Sequence, residues 1–180
     1  MIYVLLAEGF EETEALAPVD LMRRAGLAVT TVAVGDGIAV RGSHGIQVNA
    51  DLMISEIPEN APIELLMLPG GMPGTTNLDA SGDVHRLIDS AIGQGARLAA
   101  ICAAPMILGK RGDLKGLRAV CYPGFEKYLD GAVPCGGRVV TDRLVTTGAG
   151  AGAAIEFALE LIAQLRGSDT AENIKNAIIG

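Results

Sequence analysis

The residue best placed to do chemistry is a cysteine at the end of a short apolar run. Leu98, Ala99, Ala100 and Ile101 are enough for a strand buried on both faces, and Cys102 ends them. Ala103-Ala104-Pro105-Met106-Ile107-Leu108 follows, small and helix-tolerant, with a proline that a helix accepts only in its first turn. Cys102 is therefore expected where a central strand turns sharply into a helix. There, unpaired N–H groups and the positive end of the helix dipole favour a thiolate. This context predicts that Cys102 is the most acidic thiol of the chain, with a pKa below about 7.5. The competing reading is a buried cysteine that packs as a small hydrophobe. Cys121 and Cys135 have no charged company in the sequence and read as structural.

A reactive thiol needs a proton partner and an anion site. Glu14 offers the first, provided that burial raises its pKa enough to hold a proton beside the sulfur; otherwise it is a solvated acid in a helix's first turn. The PGGMPG turn offers the second, because Gly70 and Gly71 permit backbone shapes that other residues avoid. Both histidines precede Cys102. His85 falls on the exposed edge of a helical stripe and reads as solvated, whereas His44 lies in a glycine-rich loop that could reach a pocket. A Cys-His catalytic pair is thus weakly supported. The GAGAGA stretch at 148–153 matches G-x-G-x-x-[GA], but no strand with a suitably placed acid follows. It reads as a tight strand-to-helix packing turn.

The elements that must position these groups follow from periodicity. Ile2-Tyr3-Val4-Leu5-Leu6 is a buried strand, and a helix opens at Glu11, Glu12 and Glu14, repeats its apolar positions at Leu16, Val19 and Met22, and closes at Gly26. A second strand at Val29–Val34 completes a βαβ unit and implies a parallel sheet. Val40 and Ile46-Gln47-Val48 suggest a short hairpin. A third strand, Leu65–Leu68, leads into the glycine turn, and Val84, Leu87, Ile88, Ala91 and Ile92 mark an amphipathic helix. Beyond Cys102, residues 118–122 read as a strand, and 138–140 with 144–146 read as a hairpin turning at Thr141-Asp142-Arg143. Helices are expected along the stripe Ile155, Ala158, Leu159, Ile162 and Leu165, ending at Gly167, and over residues 170–177. The expected architecture is one α/β domain over residues 1–180, a mostly parallel sheet with helices on both faces. In such sheets sites form beyond the carboxyl ends of strands. The turn at 8–14, the glycine turn and Cys102 should therefore face one another.

The 180 residues suit a single core of ordinary size. A net charge of −7, with no basic cluster longer than Arg23-Arg24, argues against a nucleic-acid partner. The first apolar run is short, lacks a basic leader and meets Glu8 and Glu11, so no signal peptide or membrane span is expected. Three cysteines without CxxC spacing argue against a disulfide framework or a structural zinc site, and a reducing cytoplasm is the expected location.

Several separated motifs, in order, resemble the ThiJ/PfpI superfamily in the branch of the human Parkinson-disease protein and its bacterial relatives. They are AEGFEETEALAPVDLMRRAG (7–26), LPGG (68–71), AAICAAP (99–105) and the glycine turn leading into IEFAL (155–159). The resemblance implies a flavodoxin-like three-layer sandwich, usually a homodimer, and the apolar face of the helix at 11–25 suggests a surface for that contact. It matches Cys102 to the family's nucleophile-elbow cysteine and Glu14 to the glutamate sharing its proton. Gly71 and Ala103 match residues whose backbone N–H groups hold an oxyanion, with Gly70, His44 and Tyr122 as further pocket candidates. The activities implied are cofactor-independent, metal-free glyoxalase or deglycase chemistry on methylglyoxal or early glycation adducts; the rival role is that of a redox sensor or holdase. Where many relatives carry a histidine, this sequence has Tyr122, which argues against peptidase or amidotransferase chemistry.

Overall fold

The computed structural model describes residues 1–179. Its strands are β1 (Ile2–Ala7), β2 (Val29–Val34), β3 (Ala39–Arg41), β4 (Gln47–Asn49), β5 (Leu52–Met53), β6 (Leu65–Leu68), β7 (Arg97–Ile101), β8 (Arg118–Ala119), β9 (Val133–Pro134), β10 (Val139–Asp142) and β11 (Val145–Gly148). Its α-helices are α1 (Glu12–Arg24), α2 (Gly74–Ala80), α3 (Gly82–Gly93), α4 (Pro105–Arg111), α5 (Ala154–Arg166) and α6 (Ser168–Ala177). Seven strands form the central sheet in the order β10-β11-β7-β6-β1-β2-β5, parallel throughout except for the β10–β11 hairpin at one edge.

Strand alternation divides the core in two. Tyr3, Leu5 and Ala7 of β1 join Leu66, Leu68, Leu98 and Ala100 on one face, covered by α3 and α4. Ile2, Val4 and Leu6 join Leu65, Met67, Ala99 and Ile101 on the other, covered by α1, α5 and α6. Side chains alternate along a strand, so continuous apolar runs are required when both faces are covered. The result is the expected flavodoxin-like three-layer sandwich. Among the described residues, no helix is long and apolar enough to cross a membrane.

Several local expectations shift. The strand expected over 118–122 is only Arg118–Ala119, paired with β9 outside the main sheet, because the next backbone N–H groups bond elsewhere. Val120 N–H donates to Thr147 Oγ1 at 3.0 Å and Tyr122 N–H to the Cys102 carbonyl at 2.8 Å. The edge hairpin continues to Asp142 and turns at Arg143-Leu144, with Arg143 at φ +51°. Helix α2 has too little apolar periodicity to read from sequence, and its presence corrects the placement of His85. That ring is half-buried, 2.7 Å from the Asp79 carbonyl of α2 and 3.1 Å from Arg111. The apolar side of α1 is buried within the subunit, through Ala15, Pro18, Val19, Leu21 and Met22. The homodimer expectation therefore loses that motive and rests on resemblance.

Glycine 148 shows how closely α5 sits on the sheet: a Cβ there would stand 2.9 Å from Ile101 and 3.0 Å from Phe157. Phe157 is fully buried. Phe157→Ala should therefore lower unfolding free energy by about 3–5 kcal/mol in urea titrations. Ile155→Ala, at an exposed position on the same helix, should stay within about 0.5 kcal/mol of the parent.

Candidate active site

Cys102 leaves β7 in a conformation that few non-glycine residues adopt, φ +65°. Such backbone costs on the order of 1–3 kcal/mol and persists only where the surroundings hold it. Here both sides of the peptide are tied down. Cys102 N–H donates to the Gly148 carbonyl at 2.9 Å, and the Cys102 carbonyl accepts from Tyr122 N–H. The turn thus raises the side chain above the carboxyl ends of β6, β7 and β11. Helix α4 is only seven residues long and begins at Pro105. The donors nearest the sulfur are accordingly the N–H groups of Ala103 and Gly71.

Glu14 enters from the first turns of α1 and is 1% exposed. Gly70 N–H donates to its Oε2 at 3.0 Å, and Glu11 N–H returns a bond to the Gly70 carbonyl at 2.9 Å. The turn at 8–14 and the glycine turn are thereby stitched together. Gly70 has no room for a side chain: a Cβ would collide with Glu14 Oε2 and lie 2.6 Å from Cys102 Cβ. Gly71, at φ +92°, presses with the same closeness on the backbone of residues 9–11. These two glycines let a carboxyl, a thiol and two backbone donors converge.

The carboxyl and the thiol lie close enough to shift each other's ionisation. Burial pushes Glu14 up to about 7, opposed by the thiol, reinforced by the charge of Glu11 and opposed again by the N–H groups of Gly70 and Ala151. Burial and the adjacent Glu14 charge push the Cys102 thiol up to about 12, against the Ala103 and Gly71 donors. The acidic thiol expected from the helix terminus is opposed here by its setting. The positive surroundings of the elbow are real, but desolvation and a like charge outweigh them. Cys121 is pushed up as well, to about 11, by burial and then by Glu126. The two groups oppose each other's ionisation, so their titrations are coupled.

His44 and Tyr122 take different places. His44 has an exposed side chain whose ring nitrogen lies 3.0 Å from Glu12, 3.5 Å from Glu11 and 3.1 Å from the Ser43 hydroxyl. Glu12, although burial opposes its ionisation, is held down to about 2 by its own backbone, the His44 ring and the N–H groups of His44 and Ile46. Tyr122 is bonded to Cys102 through its backbone, while its half-exposed ring lies against Gly150. It borders a depression of about 310 Å³ lined by Pro123, Arg138 and residues 149–153. Two contributors were not singled out from sequence: Glu11, through its charge and N–H, and Ala151, through its N–H toward Glu14. A signal for Ala151 existed, since the 148–153 turn follows the strand neighbouring β7.

Two measurements check this electrostatic picture. Removing the Glu14 charge in Glu14→Gln should lower the Cys102 pKa by about 1–3 units, seen as a shifted pH profile in mass-resolved alkylation. An unmoved profile would mean that the groups do not couple. Because folding raises the Glu14 pKa from 4.5 to about 7, the unfolded chain releases that proton first. Stability present below about pH 4.5 should therefore decline as pH rises through 7, by on the order of 3 kcal/mol. Urea midpoints of Glu14→Gln should lack that decline.

This geometry sits in a chain whose likenesses are extensive. A model of the DJ-1/PfpI family matches residues 1–164. Protein DJ-1 homolog B of Arabidopsis thaliana is 34% identical over 99% of the chain, which spans 41% of that longer protein. Parkinson disease protein 7 homolog of Danio rerio is 33% identical over 98% of the chain and 95% of its own length. Glutathione-independent glyoxalase DJR-1.2 of Caenorhabditis elegans is 28% identical, with 96% and 92% covered. The structure of oxidized Toxoplasma gondii DJ-1 superposes with a TM-score of 0.95 at 36% identity, covering 99% of this chain and 97% of that one. The match of sequence and architecture along nearly the whole length leads to one conclusion: the chain belongs to the DJ-1/PfpI family, in its DJ-1 branch.

Proposed function

We propose that the chain is a cysteine-dependent, cofactor-independent enzyme of the glyoxalase or deglycase type, acting on methylglyoxal or early glycation adducts. The observation that carries this reading is the Glu14 carboxyl, buried and thereby pushed up to about 7, beside a thiol held in a left-handed turn. A base poised near the working pH suits proton transfer, and a nucleophile with a high pKa is activated by such a neighbour. The relative named as a glutathione-independent glyoxalase supports the same chemistry.

In the reaction proposed, Cys102 Sγ adds to the aldehyde carbon of methylglyoxal while ionised Glu14 takes the thiol proton. The oxyanion is held by the N–H groups of Gly71 and Ala103 and then takes the proton from Glu14, which gives a hemithioacetal and leaves the carboxylate ionised. Glu14 next removes the proton from the former aldehyde carbon and returns it to the neighbouring carbon, while the hydroxyl proton of the first carbon passes to the oxygen of the second. The first carbon is oxidised and the second reduced within one molecule, so no outside electron carrier is needed. Water hydrolyses the resulting thioester, releasing lactate and the free thiol. On a hemiaminal glycation adduct, the C–N bond would break as the thiol takes its place on the former aldehyde carbon, the amine leaving with the proton that Glu14 took from the thiol; the same proton transfers and hydrolysis would follow.

A second reading is a redox sensor or holdase. Its support is the partial exposure of Cys102 beside the Glu14 carboxyl and two N–H donors, together with the oxidised state named for the Toxoplasma relative. Peroxide would supply the oxygens of a Cys102 sulfinate, with protonated Glu14 donating to it. Turnover separates the two readings. Lactate formation from methylglyoxal, without glutathione or added metal, should exceed one equivalent per chain and vanish in Cys102→Ala. Glu14→Gln should lose roughly 10²-fold or more. Lactate that stops at or below one equivalent would remove the enzyme reading, and near-parental rates in Glu14→Gln would remove the proton-transfer role.

A further inference from the structure

Outside the thiol pocket, the start of α1 and the β3–β4 hairpin bring Glu11, Glu12 and His44 together. One donor atom from each lies within 4.8 Å of the other two. His44 Nδ1 stands 3.0 Å from Glu12 Oε2 and 3.5 Å from Glu11 Oε1. Ligands held about 2.1 Å from a tetrahedral ion are roughly 3.4 Å apart, so these separations bracket an edge of such a coordination sphere. We propose that Glu11, Glu12 and His44 bind a divalent first-row transition ion through one imidazole nitrogen and two carboxylates.

Three further features fit a site rather than a chance encounter, by the tests of ligand set, supporting bonds and access. The donor set, imidazole with carboxylate, is the one that zinc and its neighbours take. The carboxylates are held in place. Glu12 is buried, and its Oε1 accepts from His44 N–H at 2.9 Å and Ile46 N–H at 3.3 Å, which leaves Oε2 toward the ring. Ser43 Oγ lies 3.1 Å from Glu11 Oε2, 3.3 Å from Glu12 Oε2 and 3.1 Å from His44 Nδ1, so the hydroxyl sits against all three ligand side chains and would turn its proton to a carboxylate when Nδ1 takes the ion. Such supporting bonds are what tune metal ligands. Glycine 42 makes this possible, since a Cβ there would fall 2.6 Å from Glu12 Cγ. Access is open, because the His44 side chain is 69% exposed and water can complete the sphere. In the metal-free protein the His44–Glu12 contact occupies the same space.

Zinc chloride titrated calorimetrically into the reduced, chelator-stripped full chain tests the proposal, with Cys102→Ala as background to silence the thiol pocket. One Zn²⁺ per chain should bind in that background. Adding His44→Ala or Glu11→Gln should weaken binding by at least 10-fold, the lower end of what even supporting residues contribute. Far-ultraviolet circular dichroism confirms that each variant is folded, and the His44 ring ¹⁵N resonances should move on Zn²⁺ addition only in chains that retain His44. No uptake, uptake indifferent to His44→Ala, or uptake abolished by Cys102→Ala alone would each overturn the site.

Discussion

The site depends on a buried carboxyl and a half-buried thiol brought side by side, each opposing the other's ionisation. A carboxyl alone in that place would simply remain neutral, and a thiol alone would pack as a hydrophobe. Together they form a unit whose charge is set by desolvation on one side and backbone N–H groups on the other. Every nearby feature serves that closeness: a side chain missing at Gly70, a left-handed turn at Cys102, and a helix entering with its first acids facing inward. Widening the gap by one methyl group would separate the pair.

Three glutamates within four residues show that position, not residue type, assigns chemistry. Glu12 and Glu14 are both buried, yet one is held near 2 and the other near 7. The difference lies in what meets the carboxylate. Glu12 meets a ring nitrogen and several N–H donors, whereas Glu14 meets a thiol in a drier setting. Glu11 stays nearer the surface and acts on Glu14 through its charge. A sequence reading that treats a helix's first-turn acids as one class misses this division.

What the sequence made legible follows the same physics. The doubly covered strands betrayed themselves as unbroken apolar runs, and α3 and α5 showed their buried stripes, so the layered sheet could be derived before any coordinates. Cys102 and Glu14 could be paired because strands in such sheets deliver their carboxyl ends to one side. Three features resisted. Helix α2 is held by its neighbours rather than by a periodic face. The 118–122 stretch gives its N–H groups to Thr147 and Cys102 instead of a ladder. The thiol's electrostatics depended on how dry the pocket is, a quantity no local motif encodes.

The two hydrogen bonds that brace the Cys102 peptide come from residues 122 and 148, well downstream in the chain. Synthesis delivers β1, β6 and β7 first, and domains assemble as their parts emerge. Until the β11 segment pairs with β7, the turn lacks the Gly148 carbonyl that braces it. The last third of the polypeptide therefore acts as a latch. A chain opened along this edge loses both bonds, and with them the support of the left-handed turn at Cys102.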